Sequence, residues 1–396
     1  MPAESEFTVT PYSVDGNVDY EQLLNQFGAD KLTADQRKRF PDPTHPLVRR
    51  EVFYAERNLD PFLAAANSGD DHALVTGRGP SGPMHIGHIF PFYFARYLQR
   101  AAGTTVYIPF SDDEKYLLKD QSIESISDHT RENLRDLLAV GFDPKRTRIV
   151  VDSADADVVY PVASALGKEI TQATVDATYG DPENVGLSFY PAVQATHLLL
   201  PQLVEGRQPT LVPIAVDQDP HVRVCRDVAG KERHDVEKPG ALLSKFLPSL
   251  DGPGKMSSSD DTPSILLSDD RETIREKIQT HAYSGGQTSV AKHREQGGNP
   301  DVDVAYLLLY YFFEKDDQRV QRLAQEYRDG SLLTGELKQL AAATIADFLE
   351  GHQQRREQLG PLHTELQPYR LTDEERRQAL QTIGYPDDSL ARQDSE

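Results

Sequence analysis

Residues 72–103 read HALVTGRGPSGPMHIGHIFPFYFARYLQRAAG. The apolar run Ala73-Leu74-Val75 is a short buried strand candidate. Thr76 to Phe90 then gathers four Gly, two Pro and two His. FPFYFARYLQRAAG continues as a helix that Gly103 ends. Such a turn is either a loose surface loop or a backbone cradle for a phosphate. A strand, a Gly-rich turn and a helix start place unpaired N–H groups and a positive helix end at one spot, which favours an anion. Gly77, Gly79, Gly82 and Gly87 leave room for a ligand to touch backbone. His85 and His88 lie three residues apart, so on a first helical turn they share a face and can both hydrogen-bond a phosphate.

The same alternation extends outward. TTVYIPFS and TRIVVDS read as strands separated by SIESISDHTRENLRDLLAVG, an amphipathic helix that Gly141 stops. SFYPAVQATHLLLPQLVEG reads as a strand end plus helix, and TLVPIAVDQDP as a strand ending in acids. Strands alternating with helices predict an α/β fold, a Rossmann-type doubly wound parallel sheet. After Lys255 the character becomes helical, in RETIREKIQTHAYS, DVAYLLLYYFFEKDDQRVQRLAQEYRDG and TGELKQLAAATIADFLEGHQQRREQLG. The expected domains are therefore an N-terminal helical extension over 1–70, a catalytic domain over 71–262, an α-helical domain over 263–385 and a frayed tail over 386–396. In the extension, the chain after Arg50 is expected to be helical as far as Gly69. Arg37, Lys38, Arg39, Arg49 and Arg50 read as a solvated helix face rather than a nucleic-acid contact.

Composition bounds the rest. The 396 residues exceed the usual single-domain length. No apolar run approaches the ~18 residues of a membrane span, and MPAESEFTVT has no signal-peptide pattern. The single cysteine, Cys225, excludes an internal disulfide and a multi-cysteine zinc site. It is expected to be a buried small apolar residue. The expected location is the cytoplasm. Asp plus Glu number 63 against 42 Lys plus Arg, a net charge of −21. Of those basic residues 14 are Lys and 28 Arg. Such an acid-rich, Lys-poor surface suits very salty cytoplasm, where screening removes self-repulsion. It argues against non-specific nucleic-acid binding, so no DNA partner is expected.

A second motif, Lys255-Met256-Ser257-Ser258-Ser259, follows the hinge-like DGPG at 251–254. A Lys with hydroxyls on such a loop can close over a polyphosphate, although alone it reads equally as a surface linker. Together the two motifs resemble the HIGH and KMSKS signatures of class I aminoacyl-tRNA synthetases. FSDDEKYLLKD at 110–120, YPAVQA at 190–195 and AVDQDPHVRVCRDVA at 215–229 are similar to the tryptophanyl-tRNA synthetases of the archaeal and eukaryotic type. So are KPGALLSKFLPSL, HAYSGG and GGNPDVDVAYLLLYYFF, and the resemblance spans roughly 7–385.

The resemblance implies activation of tryptophan by ATP, transfer to tRNA, an anticodon-binding helical domain and a homodimer. Mg²⁺ is expected to arrive with ATP and not at a protein metal site. The implied catalytic residues are His85, His88 and Lys255. Arg78, Gly79, Gly87, Asp217, Met256 and Ser257 are placed around ATP. Glu114 and Gln194 match positions around the substrate ammonium, and Gln218 its main-chain groups. Val75 and Pro109 occupy positions where the family carries a Tyr and a Gln that hold the indole N–H, and neither side chain accepts a hydrogen bond. Another residue or a water holding the indole, a paralogue with changed amino acid preference (tyrosine or another aromatic), and a shifted alignment remain open on the sequence. A nucleotidyltransferase without tRNA, or a non-catalytic sensor, fits less well. Asp112 and Asp113 are expected to cap the helix after Ser111. His197 is expected to be a satisfied core histidine, and Ala305 to Phe313 a core segment.

Overall fold

The computed structural model describes residues 7–9, 14–16, 20–231, 233–255 and 263–386. Its centre is a seven-stranded sheet: β1 (Asp30–Lys31), β2 (Phe53–Arg57), β3 (Ala73–Val75), β4 (Thr105–Phe110), β5 (Thr147–Val151), β6 (Thr210–Ala215) and β7 (Gly240–Ser244). The spatial order is β1-β2-β7-β6-β3-β4-β5. The five strands from β7 to β5 run parallel, whereas β1 and β2 add an antiparallel edge.

Successive residues of these strands enter opposite cores. Leu74, Val106, Ile108, Ile149, Leu211 and Leu242 belong to one apolar cluster. Val75, Tyr107, Val150, Val212 and Leu243 belong to the other. A strand buried on both faces shows this as a continuous apolar run, since side chains alternate with period two. Helices α1 (Leu59–Ser68), α2 (Ile86–Ala102) and α4 (Ile123–Val140) cover the first face. Helices α5 (Ala156–Gly167), α7 (Val185–Glu205) and α8 (Asp219–Ala229) cover the second. Between them lie the short helices α3 (Asp112–Leu118) and α6 (Gln172–Tyr179). Gly103 and Gly141 close α2 and α4 with φ of 72° and 83°, a left-handed geometry that favours Gly.

A short hairpin follows, β8 (Pro248–Ser249) with β9 (Gly252–Lys255). The remaining chain is helical, including α9 (Arg271–His281), α10 (Thr334–Glu357) and α11 (Asp373–Thr382). Ile274, Ile278, Ile345 and Leu349 continue the first core. Helix α11 instead returns to the second, where Leu371 and Ala379 join Val158, Leu199 and Leu203. Arg370 and Arg376 both pair there with the fully buried Asp155, and Arg148 Nε meets Glu375 at 2.7 Å.

Three local expectations are corrected. The chain after Arg50 forms β2 before it forms α1, because FYAER lies against β7 and its Glu56 is satisfied by Gln36 Nε2 at 3.1 Å and the Leu59 N–H at 2.9 Å. Residues 185–205 are one helix with Pro191 and Pro201 inside it, without a strand end. The basic cluster is not a solvated face throughout. Arg50 is 4% exposed; it meets Asp317 Oδ1 at 2.6 Å and the carbonyls of Tyr310 and Glu314. It thereby ties the N-terminal region to the helical one.

Candidate active site

The chain leaves β3, builds β4 and β5 on one side, then crosses to β6 on the other. Ligands bind at the carboxyl ends of the strands at such a switch point. A cleft of about 490 Å³ opens there. Its walls include Val75, Arg78, Gly79, His85, Gly87, His88, Pro109, Glu114, Gln194, Asp217 and Gln218. Eleven residues singled out from sequence thus come together, although they are spread over more than 140 positions. Lys255 ends β9 opposite Pro248, but its side chain lies outside the described residues, as do Met256, Ser257 and residues 387–396.

The start of α2 is capped by its own histidines. His85 Nδ1 accepts the Gly87 N–H at 3.1 Å, and His88 Nδ1 accepts the His85 N–H at 3.2 Å. The rings stack with centroids 3.5 Å apart. An accepting Nδ1 puts the ring proton on Nε2, so each ring presents an N–H donor beside the helix start. A side chain at position 87 would put its Cβ 2.9 Å from His85 Cε1, which explains the glycine. A Cβ at Gly79 would lie 1.9 Å from Lys115 Cε, so Lys115 lies directly over the loop. The segment that begins at residue 263 is anchored on this same motif: the Ile86 N–H donates to Ile265 O at 2.9 Å, and the Leu267 N–H to Met84 O at 2.9 Å.

Arg78 continues the loop alongside β4, its N–H donating to Pro109 O at 2.9 Å. Its Nε donates to Asn133 Oδ1 at 3.0 Å. Burial lowers its pKa to about 10, opposed by Glu114, so the guanidinium is charged at neutral pH. At the end of β6, Gln218 Nε2 donates to Asp217 Oδ2 at 3.1 Å. The next residue, Asp219, is gripped by Arg57 through Nε at 2.6 Å and Nη2 at 2.8 Å. Gln194 Nε2 donates to Tyr190 OH at 2.9 Å. Glu114 is buried and paired with Lys115.

Behind this wall lies an acidic group. Asp112, Asp113 and Asp152 each bring an oxygen within 4.8 Å of the others. The spacing would suit a cation, but protein donors engage the acids. Asp112 accepts from the Ser153 N–H at 3.1 Å and from its hydroxyl, and Tyr160 OH donates to Asp113 at 2.8 Å. Burial, then the charge of Asp152, pushes the Asp113 pKa up to about 8. The expected capping role holds for Asp113, whose Oδ1 accepts the Glu114 N–H of the first helical turn at 2.7 Å, and is corrected for Asp112, which turns to Ser153 after β5. His197 is a buried core histidine as expected, bonded through Nε2 to Asp152 Oδ1 at 2.7 Å, but it also lines the cleft, and among the described residues its buried Nδ1 has no partner. Cys225 is fully buried, as expected.

The sequence reading missed Lys115, His221, Lys245 and Tyr311, which also line the cleft. His221 lies four residues after Asp217 at the start of α8, a spacing that was a usable signal. Burial lowers its pKa to about 4, so it is neutral. Lys245 and Tyr311 come from segments that only the fold brings close.

A switch-point cleft with a histidine-capped helix start and an acidic strand end defines a nucleotide-binding enzyme of the doubly wound class. Residues 67–350 match the family model for tRNA synthetases class I (W and Y), and the chain belongs to that family. It is 58% identical over 378 residues to tryptophan–tRNA ligase 2 of Halobacterium salinarum, covering 95% of this chain and 98% of that one. It is 43% identical to the tryptophan–tRNA ligase of Sulfolobus acidocaldarius, covering 89% and 93%. Among solved structures, tryptophanyl-tRNA synthetase from Aeropyrum pernix K1 superposes with a TM-score of 0.80 at 30% identity, covering 89% of this chain and 96% of that one. The Giardia lamblia enzyme does so at 0.80 and 32% identity, covering 90% and 96%.

Proposed function

We propose that this chain activates tryptophan with ATP, releasing pyrophosphate, and transfers the aminoacyl group to the 3′ end of tRNA(Trp). One observation carries the reading. One cleft is lined both by His85 and His88 at the α2 start, which suit phosphate, and by Glu114, Gln194, Gln218 and the apolar Val75 and Pro109, which suit an amino acid. The close relatives, all tryptophan ligases, favour tryptophan over tyrosine.

In the first step the tryptophan carboxylate attacks the α-phosphate. It is ionised at neutral pH, so no general base is required. Catalysis then consists of positioning and of stabilising charge on the five-coordinate phosphorus and the leaving pyrophosphate. The Nε2 donors of His85 and His88 suit the phosphate oxygens, and Gly87 lets them approach. Arg78, Gly79 and Asp217 border the nucleotide, with Met256 and Ser257 helping to hold it and Lys255 drawing charge from the pyrophosphate. Mg²⁺ would enter as the ATP complex, its charge helping to neutralise the phosphates; the imidazoles and amides at the phosphate end would bind the phosphate oxygens rather than the ion.

Residues 263–385 serve as the anticodon-binding part of the chain, and the active form is a homodimer. Tyr116, Ile123, Val185 and Phe189 are exposed large apolar side chains grouped near α3 and the start of α7, a surface that a second copy would cover. No described helix is long and apolar enough to cross a membrane, and a tRNA substrate supports a cytoplasmic location.

The test is exchange of pyrophosphate into ATP in molar KCl with each of the twenty amino acids. Tryptophan alone should support it, and Lys255→Ala should lower the rate sharply with little change in ATP affinity. Exchange with a different amino acid refutes the reading; undiminished exchange in the variant removes Lys255 from the mechanism.

A further inference from the structure

Tryptophan carries one polar group on its side chain, the indole N–H, and burying it without an acceptor is costly. Val75, Pro109, Leu198, Val212 and Val222 of the cleft wall carry no side-chain acceptor. His197 does. It follows Gln194 by three residues on α7, so the two share a helix face, and both line the cleft.

The ring's hydrogen bonding is set from behind. His197 Nε2 lies 2.7 Å from Asp152 Oδ1, with side chains 1% and 0% exposed. With Asp152 ionised its oxygen accepts, so Nε2 holds the proton and Nδ1 is left with a lone pair. That Nδ1 is buried and has no partner among the described residues, a condition native interiors rarely leave without a reason. Asp152 is itself held at the end of β5, beside the Asp113 carboxyl.

We propose that His197 Nδ1 accepts the indole N–H of tryptophan, making His197 a specificity-determining residue and Asp152 the positioning residue that fixes its tautomer. Burial holds the imidazole neutral, its pKa lowered to about 4 against the pull of Asp113, Glu114 and Asp112. The acceptor is therefore present throughout the neutral range. The inference rests on the tryptophan reading above.

The experiment compares kcat/KM in pyrophosphate exchange for tryptophan and for β-(3-benzothienyl)alanine, in which sulfur replaces the indole N–H. The wild-type chain should prefer tryptophan. His197→Leu should lower kcat/KM for tryptophan roughly 10- to 100-fold, chiefly through KM, while the analogue is nearly unaffected. His197→Asn, which keeps a carbonyl acceptor near the same place, should restore part of the preference. An equal loss for both substrates would mean the ring is only structural, and an unchanged ratio would mean the indole is held elsewhere; either overturns the inference while leaving tryptophan activation intact. A wild-type chain that activates another amino acid and not tryptophan refutes the underlying reading as well, and is visible before any variant is made.

Discussion

Asp219→Ala tests how the end of β6 is held. Arg57 grips this carboxylate with two parallel bonds of 2.6 and 2.8 Å, and the side chains are 11% and 0% exposed. Such forked, charge-assisted pairs are the strong ones. Deleting one partner of a buried pair costs about 3–5 kcal/mol, because the other charge stays behind unpaired. Arg57 keeps a bond from Nη1 to Gly28 O at 2.8 Å, which moves the expected loss to the lower end, about 3 kcal/mol. Arg57→Ala should cost less. Asp219 would still stand at the first residue of α8, where the positive helix end favours an anion by about 0.3–1 kcal/mol. It would also keep Arg223 Nε at 3.3 Å. Urea unfolding of the three proteins in molar KCl reads the differences. Repeating it at lower salt should leave them nearly unchanged, since mobile ions screen a buried pair poorly. A cost for Asp219→Ala below about 1 kcal/mol, the range of an exposed pair, would refute the argument. So would a larger loss in Arg57→Ala.

Two further outcomes follow from charge. Asp113, with its pKa raised to about 8 by burial and by Asp152, binds a proton more tightly folded than unfolded. It therefore destabilises the fold progressively as pH rises from about 4 to 8; Asp113→Asn should flatten the fall in melting temperature over that window, and an unchanged slope would assign the pH dependence elsewhere. The net charge of −21 predicts a higher melting temperature in about 1 M KCl, where the Debye length is ~3 Å, than in 0.1 M, where it is ~10 Å. Greater stability in the dilute buffer would refute adaptation to salt.

The parallel strands were legible because burial on both faces writes itself as uninterrupted apolar residues, as in IVV at 149–151 and LVPIA at 211–215. The antiparallel strand Phe53–Arg57 was not, because Glu56 and Arg57 break that pattern. Their charges are satisfied by Gln36 and Asp219, partners a local window does not contain. The phosphate end of the cleft was legible for the opposite reason. Gly79, His85, Gly87 and His88 fall in one short stretch of sequence, and their backbone geometry is itself the binding device. The role of His197 was hidden, since its partner Asp152 lies 45 residues away and only the parallel pairing of β4 with β5 brings that strand end under α7. Asp112 misled for the same reason: an acid after Ser is a good cap locally, but Ser153 across the sheet offered two donors.

The return of α11 has a consequence for how the protein is made. Leu371 and Ala379 complete an apolar layer whose other members, Val158, Leu199 and Leu203, are translated far earlier, and Asp155 receives Arg370 and Arg376 only at the end. At roughly 5–20 residues per second, the ribosome leaves that layer uncovered, and that acid without its cations, for on the order of ten seconds or more. The nascent sheet therefore passes through a stage with one greasy flank open to other chains. In a salt-rich cell, where charge repulsion between nascent chains is weak, that interval is when chaperone capture matters most for this protein.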